Sequence, residues 1–395
     1  MIVLTFSFVA CKNDSTNTEK SYESYDGTDV NGTESGTEND GTDESTPPSS
    51  DEENQPPVTQ GKAIDLYLIA GQSNAAGHTK VTNASELYDL APELRDGFSN
   101  VLYAGDARSD GDGRLYHNQQ YWTPVKLGFG RYDAVESYMG PEVGMAKALS
   151  AAYNKDSGKT AGIFKFAHGG TSIFDVRTGK NAFGNWVCPS YAKSQGLSYN
   201  EFDITGGLYR GFLSELEKQI KLLHTMGYTE INICGLYWMQ GENDRNLPED
   251  YKEAFNMFAS DIRLDILKLM TDLNIKDSGA ENMPIFIGSI SETYWLNNAG
   301  ALSVNERFIE AQRWLATHVE NCYFIDNSKY KLTAWDQTNN QTIVDGGCDF
   351  HHWNQTDMFN IGMSVGTLMQ SPPKKISHTD MENIGSVVNW SDYFS

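Results

Sequence analysis

Basic residues are scarce in this chain. Its 395 residues include 30 Lys and Arg against 53 Asp and Glu, a formal net charge of −23. A nucleic-acid binder needs Lys and Arg to displace phosphate counterions, and the balance argues against that class. It argues equally against docking on anionic lipid through a basic patch. Cysteine is scarce too, five in all, too few for a disulfide scaffold in a chain this long. No apolar run reaches the roughly 18 residues that a membrane-spanning helix requires. What remains is a chain long enough to bury a large core.

The charge is unevenly spread. Residues 12–60 hold 13 acidic and two basic side chains, a net −11, and 61–395 carry the other −12. Residues 12–60 are mostly Ser, Thr, Asp, Glu, Gly and Asn. They offer almost nothing to bury, so the expectation is a disordered, self-repelling acidic linker. Ahead of it, residues 1–10 read MIVLTFSFVA and end at Cys11. The run is a signal-type segment by length. Val9-Ala10-Cys11 resembles a bacterial lipobox, although Phe8 stands where Leu is usual and no basic residue precedes it. A lipid-anchored, exported, cell-surface or periplasmic protein is the expectation, with Cys11 the only membrane contact.

From Ala63 the texture changes. Short apolar runs at 64–70, 162–167, 231–239, 284–289 and 322–326 read as buried strands. Between them lie one-sided apolar periodicities: Leu213, Leu216, Ile220 and Leu223; Phe255, Phe258, Ile262, Ile266 and Leu269; Val304, Phe308, Ala311 and Leu315. Five buried strands alternating with amphipathic helices predict an α/β three-layer sandwich around a five-stranded parallel sheet. The domain is expected at 61–370, with 371–395 a C-terminal extension. In such sheets ligands bind beyond the carboxyl ends of the strands.

Four strand-following loops carry the reactive residue types. The first, Gly71-Gln72-Ser73-Asn74, presents a Ser just after a strand. The second, His168-Gly169-Gly170-Thr171-Ser172, has paired glycines whose N–H groups can approach a ligand closely. The third, Gln240-Gly241-Glu242-Asn243-Asp244, offers an amide able to donate to a developing oxyanion. The fourth holds Asp349 and His352 three residues apart, so one turn can direct both inward. A carboxylate fixing one imidazole nitrogen leaves the other to accept a proton from Ser73. His351, His352, Asp349 and His168 also suit a metal, but no second spaced His/Cys pair accompanies them; the reading assigns no metal and no cofactor.

Together the four loops resemble the SGNH hydrolase superfamily, whose blocks supply Ser, Gly, Asn and His. Ser73 falls at the Ser of the GQSN form, Gly169 or Gly170 at the Gly, Asn243 in a G-x-N-D block, and Asp349 with His352 in D-x-x-H. Within it the chain looks like the carbohydrate acetylesterase branch, with sialate O-acetylesterases and acetyl xylan esterases. Trp122-Thr123-Pro124 and Gly140-Pro141-Glu142 add to that likeness, while Met239 stands where His, and Asn243 where Ser, is frequent. The resemblance covers about residues 63–368.

It implies a flavodoxin-like fold and a serine esterase removing O-acetyl groups from carbohydrate. Ser73 is the expected nucleophile, His352 the base and Asp349 its orienter, with Glu242 competing for that last role. The oxyanion donors are the Ser73 N–H, that of Gly169 or Gly170, and the Asn243 amide. Gln72, Gln240, Trp122 and Trp186 are the expected substrate contacts, the tryptophans as sugar platforms. The acidic domain favours a neutral plant glycan over a sialate at long range. Cys188 and Cys348, both near the site, are candidates for a bond bracing the His352 loop. A glycan-binding lipoprotein with an inactive esterase fold and an SGNH lipase or thioesterase for longer acyl chains are the competing readings.

Overall fold

The computed structural model describes residues 61–105, 121–130, 138–153, 158–174, 184–201, 203–276, 278–294, 300–328, 330, 332 and 351–372. Cys11, the 12–60 segment, Cys348, Asp349 and residues 373–395 lie outside them.

The first apolar run becomes β1 (Lys62–Gly71), buried from Ile64 onward. Its side chains alternate between two cores. Ile64, Leu66 and Leu68 enter one, and Tyr67 and Ile69 the other. A strand covered on both faces needs no polar side, which is why its run is so uniformly apolar.

β1 lies parallel to β6 (Lys159–Ala167) on one side and β7 (Tyr228–Met239) on the other. Beyond β6 comes β3 (Phe98–Gly105), also parallel, edged by the short antiparallel β4 (Thr123–Val125). Beyond β7 come β8 (Ile285–Gly288) and β9 (Cys322–Ile325), both parallel. The sheet order is β4-β3-β6-β1-β7-β8-β9. A separate two-stranded sheet joins β2 (Thr79–Lys80) to β5 (Tyr138–Met139).

The five predicted strands are therefore present in a seven-stranded, mostly parallel sheet. β3 escapes a sequence reading because Ser99 and Asn100 interrupt its apolar pattern; Ser99 is exposed near the sheet margin. Helices α2 (Ala84–Leu90), α3 (Glu142–Ala152) and α8 (Gln355–Gln370) supply one core, and α4 (Pro189–Ser194), α5 (Gly207–Thr225), α6 (Pro248–Asp272) and α7 (Ala301–His318) the other. The predicted apolar stripes of α5, α6 and α7 face inward, with Leu216, Ile220, Phe255, Phe258, Ile262, Phe308 and Leu315 in the core.

The chain winds from β1 outward to β3, returns through β6, and then crosses to β7 on the far side of β1. Its winding direction reverses at β1. Such a reversal opens a crevice at the carboxyl ends of the neighbouring strands, and β1, β6 and β7 end in the first three reactive loops.

Candidate active site

Ser73 opens α1 (Ser73–Ala76), a single turn directly after β1. The turn is closed by the Gly77 and His78 N–H groups, which donate to the Ser73 carbonyl at 3.0 and 3.1 Å. Gln72, just before it, fixes the turn to β7: its N–H donates to the Met239 carbonyl at 3.0 Å. Its side-chain oxygen accepts from Gln240 Nε2 at 3.3 Å and from the N–H groups of Gly241 and Asn243, each at 3.4 Å.

Gln240 ties the second and third loops. Its Nε2 donates to the Thr171 carbonyl at 2.9 Å and to Asp244 Oδ2 at 2.7 Å. Asp244 Oδ2 also accepts the Ile173 N–H at 2.9 Å. The structure thus uses these two buried glutamines as ties between loops, where the sequence reading gives them to the substrate.

The second loop reaches Ser73 at Gly169. A Cβ built there would lie 3.4 Å from Ser73 Cβ and 3.0 Å from His78 Cε1. Glycine lets this backbone come so near the Ser73 turn without pressing on either side chain. Gly170 has φ +67° and faces open space. The His168 N–H donates to the Gly71 carbonyl at 3.2 Å, extending the β1–β6 pairing to the edge of the site.

In the third loop Gln240, Glu242 and Asp244 are buried, and Asn243 is exposed. Glu242 Oε1 accepts from Asn74 Nδ2 at 2.7 Å, and Oε2 has no partner among the described residues. Burial pushes this carboxyl up to about 7, only partly offset by its backbone hydrogen bond and by Asn74. The Asn243 N–H donates to the Gln72 side chain, which places this residue at the rim of the Ser73 turn. Arg245 is half-buried. It donates to the Glu242 carbonyl at 2.9 Å, and its guanidinium lies 4.9 Å from the Tyr294 ring centroid.

The fourth loop enters the described residues at His351. Asn74 Nδ2 donates to its carbonyl at 3.1 Å, so one amide beside Ser73 holds both Glu242 and the residue next to His352. The His352 ring stands 5.0 Å from that of His78. Trp353 is buried, Asn354 caps α8 through the Asp357 N–H, and Gln355 accepts from the Thr82 and Asn83 N–H groups. The loop is anchored immediately after His352. Asp349, its expected partner, lies outside the described residues.

Two expectations need correction. Trp186 is fully buried, with Nε1 on Thr171 Oγ1 at 3.2 Å and its ring edge-on to Trp238 at 5.1 Å. Trp122 is buried too, with Nε1 on the Gln219 carbonyl at 3.1 Å. Neither ring is open to a sugar; polar sequence neighbours conceal their place in the core. Cys188 is a buried free thiol before α4, pushed up to about 12 by burial; Cys348, the other candidate for a bond there, lies outside the described residues.

Two residues without an assigned role in the sequence reading belong to the site. Asn74 is visible as the last letter of GQSN, but nothing local tells what its amide holds. His78 lies five residues after Ser73, at the close of the first loop, and no motif marks it.

A family model described as carbohydrate esterase, sialic acid-specific acetylesterase matches residues 63–342, and so ends ahead of His352. No curated protein matches the chain by sequence. Among solved structures, a protein from Arabidopsis thaliana is 18% identical with a TM-score of 0.44, over 78% of this chain and 98% of its own. NanS is 14% identical with a TM-score of 0.48, over 79% and 98%. A carbohydrate acetylesterase from Xanthomonas citri is 16% identical with a TM-score of 0.43, over 77% of this chain and 55% of its own. The family match spans well over half of the sequence, and the chain belongs to the sialic acid-specific acetylesterase family of carbohydrate esterases.

Proposed function

We propose that this carboxylic ester hydrolase removes O-acetyl groups from sugars through an acetyl-Ser73 intermediate. The observation that carries the reading is the Asn74 amide, which holds Glu242 at 2.7 Å and the His351 carbonyl at 3.1 Å beside the nucleophile turn. Ser73 Oγ attacks the acetyl carbonyl while His352 takes its proton. The bond to the sugar oxygen breaks, and that oxygen receives the proton from His352. Water then adds to acetyl-Ser73, His352 takes a proton from it, acetate leaves, and the proton returns to Ser73. The N–H groups of Ser73 and of Gly169 or Gly170, with the Asn243 amide, are the proposed oxyanion donors, each worth about 10²–10³ in rate.

Asp349 is the proposed orienter of His352. Glu242 supports this by its own engagement: its one side-chain hydrogen bond among the described residues goes to Asn74 and not to an imidazole. Ser73→Ala tests the nucleophile, with hydrolysis of an aryl acetate expected to fall to background; a wild-type rate would sink the reading. Equal turnover of aryl octanoate and aryl acetate would favour the lipase reading, and turnover of neither a binding module.

Contact-range electrostatics favours an acetylated sugar acid, sialate included, over the neutral glycan that the overall charge suggests. Arg245 forms no salt bridge with a carboxylate among the described residues and feels Glu242, buried with a raised pKa, only at longer range. It stacks on Tyr294, whose ring meets that of His351 at 5.5 Å. At a screening length of about 8 Å, a cation at the rim outweighs distant acids. Acetate release from acetylated sialate, pectin and xylan by wild type and Arg245→Met tests the choice. The variant is expected to lose activity selectively on the acidic substrates; an equal loss on xylan would overturn it. Lipid anchoring at Cys11 belongs to the same proposal and is tested by labelling wild type and Cys11→Ala with a fatty-acid analogue in bacterial cells.

A further inference from the structure

A charged pair lies sealed beneath the nucleophile turn. Lys165, on β6, is 4% exposed and Glu142, at the start of α3, is 0% exposed. The Lys165 ammonium donates to Glu142 Oε2 at 2.9 Å, to the Phe129 carbonyl at 2.6 Å and to the Ala76 carbonyl at 3.0 Å. These three acceptors match its three N–H donors. The other Glu142 oxygen accepts the Gly140 N–H at 2.8 Å. Burial depresses the Lys165 pKa, and Glu142 opposes that shift.

Such a pair is a poor source of net stability. Both charges lose their hydration, and two apolar side chains of similar volume often serve as well or better. What apolar side chains lack is a donor for particular carbonyls. Ala76 ends the turn that Ser73 begins. Lys165 lies on the strand that runs into His168 and Gly169. One ammonium therefore joins the nucleophile turn to the strand bearing the proposed oxyanion glycine, and Glu142 holds that ammonium in place.

We propose that Lys165 and Glu142 are positioning residues for ester hydrolysis, fixing the Ser73 turn against the Gly169 loop without touching the substrate. The inference rests on the reading of Ser73 as nucleophile. It is tested with the double variant Lys165→Met/Glu142→Leu in the full chain, using thermal unfolding, near-UV circular dichroism and aryl acetate kinetics. The expected result is a folded protein with KM within twofold of wild type and kcat reduced about 10- to 100-fold, the scale of a small misplacement of reacting groups. A folded variant with wild-type kcat, or one whose KM alone changes, overturns the proposal. If the double variant does not fold, Glu142→Gln decides by the same readout, since the amide keeps the volume but has one acceptor oxygen for the two donors, Lys165 and Gly140. Ser73→Ala is measured alongside: a wild-type rate there refutes the nucleophile reading, whereas an inactive Ser73→Ala with fully active pair variants refutes the positioning role alone.

Discussion

Glu242 is nearly sealed from solvent, with one oxygen on Asn74 and the other without a partner among the described residues. Its carboxyl, raised from 4.5 to about 7, keeps a proton in the folded state that the unfolded chain has already released. Between those values the native state binds more protons, so stability falls as pH rises through this window. The full difference is about 3 kcal/mol on the alkaline side. Glu242→Gln removes this slope. Urea unfolding at pH 4 and pH 8 is expected to show wild type losing stability relative to the variant at pH 8; parallel behaviour of the two would contradict the burial argument. Comparing Glu242→Ala with Asp349→Ala then separates their catalytic roles. A greater loss of kcat is expected from Asp349→Ala, and the reverse order would move the orienting role to Glu242. The residues most legible in the sequence are those in strand-following motifs, Ser73 and Gly169 above all. Their signal is local: a strand stops, and a Ser or a Gly follows. Asn74 is harder to read because its partners, Glu242 and His351, stand 168 and 277 residues away. Trp122 and Trp186 mislead for the converse reason, since neighbouring polar residues say nothing about which core receives an indole.

The helix that follows His352 depends on a close helix crossing. A Cβ at Gly144 of α3 would lie 2.0 Å from the Phe359 carbonyl oxygen of α8, and one at Gly362 of α8 would lie 2.2 Å from the Pro141 carbonyl oxygen. Neither helix can accept a side chain there without moving apart from the other. Gly362→Ala is expected to destabilise the protein by about 1–3 kcal/mol, the usual cost of overpacking. It is also expected to lower kcat, because α8 begins three residues after His352. Urea unfolding and aryl acetate kinetics check both effects. At this scale the central strands, apolar on both faces, and the stripes of α5, α6 and α7 are plain in the sequence. β3 and β4 are not, because marginal positions tolerate Ser, Asn and Pro and the pattern dissolves.

At the scale of the molecule, the −23 charge has two sources, and only the −12 of residues 61–395 belongs to the catalytic part of the sequence. The described residues all fall in one compact unit, Thr59–Ser395. Residues 61–395 expressed alone are therefore expected to match the full chain in unfolding midpoint and aryl acetate kcat. A clear drop in either would show that the acidic segment supports the fold.

β1 has a further consequence for how the enzyme is held. The polypeptide enters this strand at Lys62 and leaves it just before Ser73, a path of roughly 30 Å at the rise of an extended chain. The chain upstream of Lys62 therefore joins the domain at the amino end of β1, whereas Ser73 follows the strand's carboxyl end.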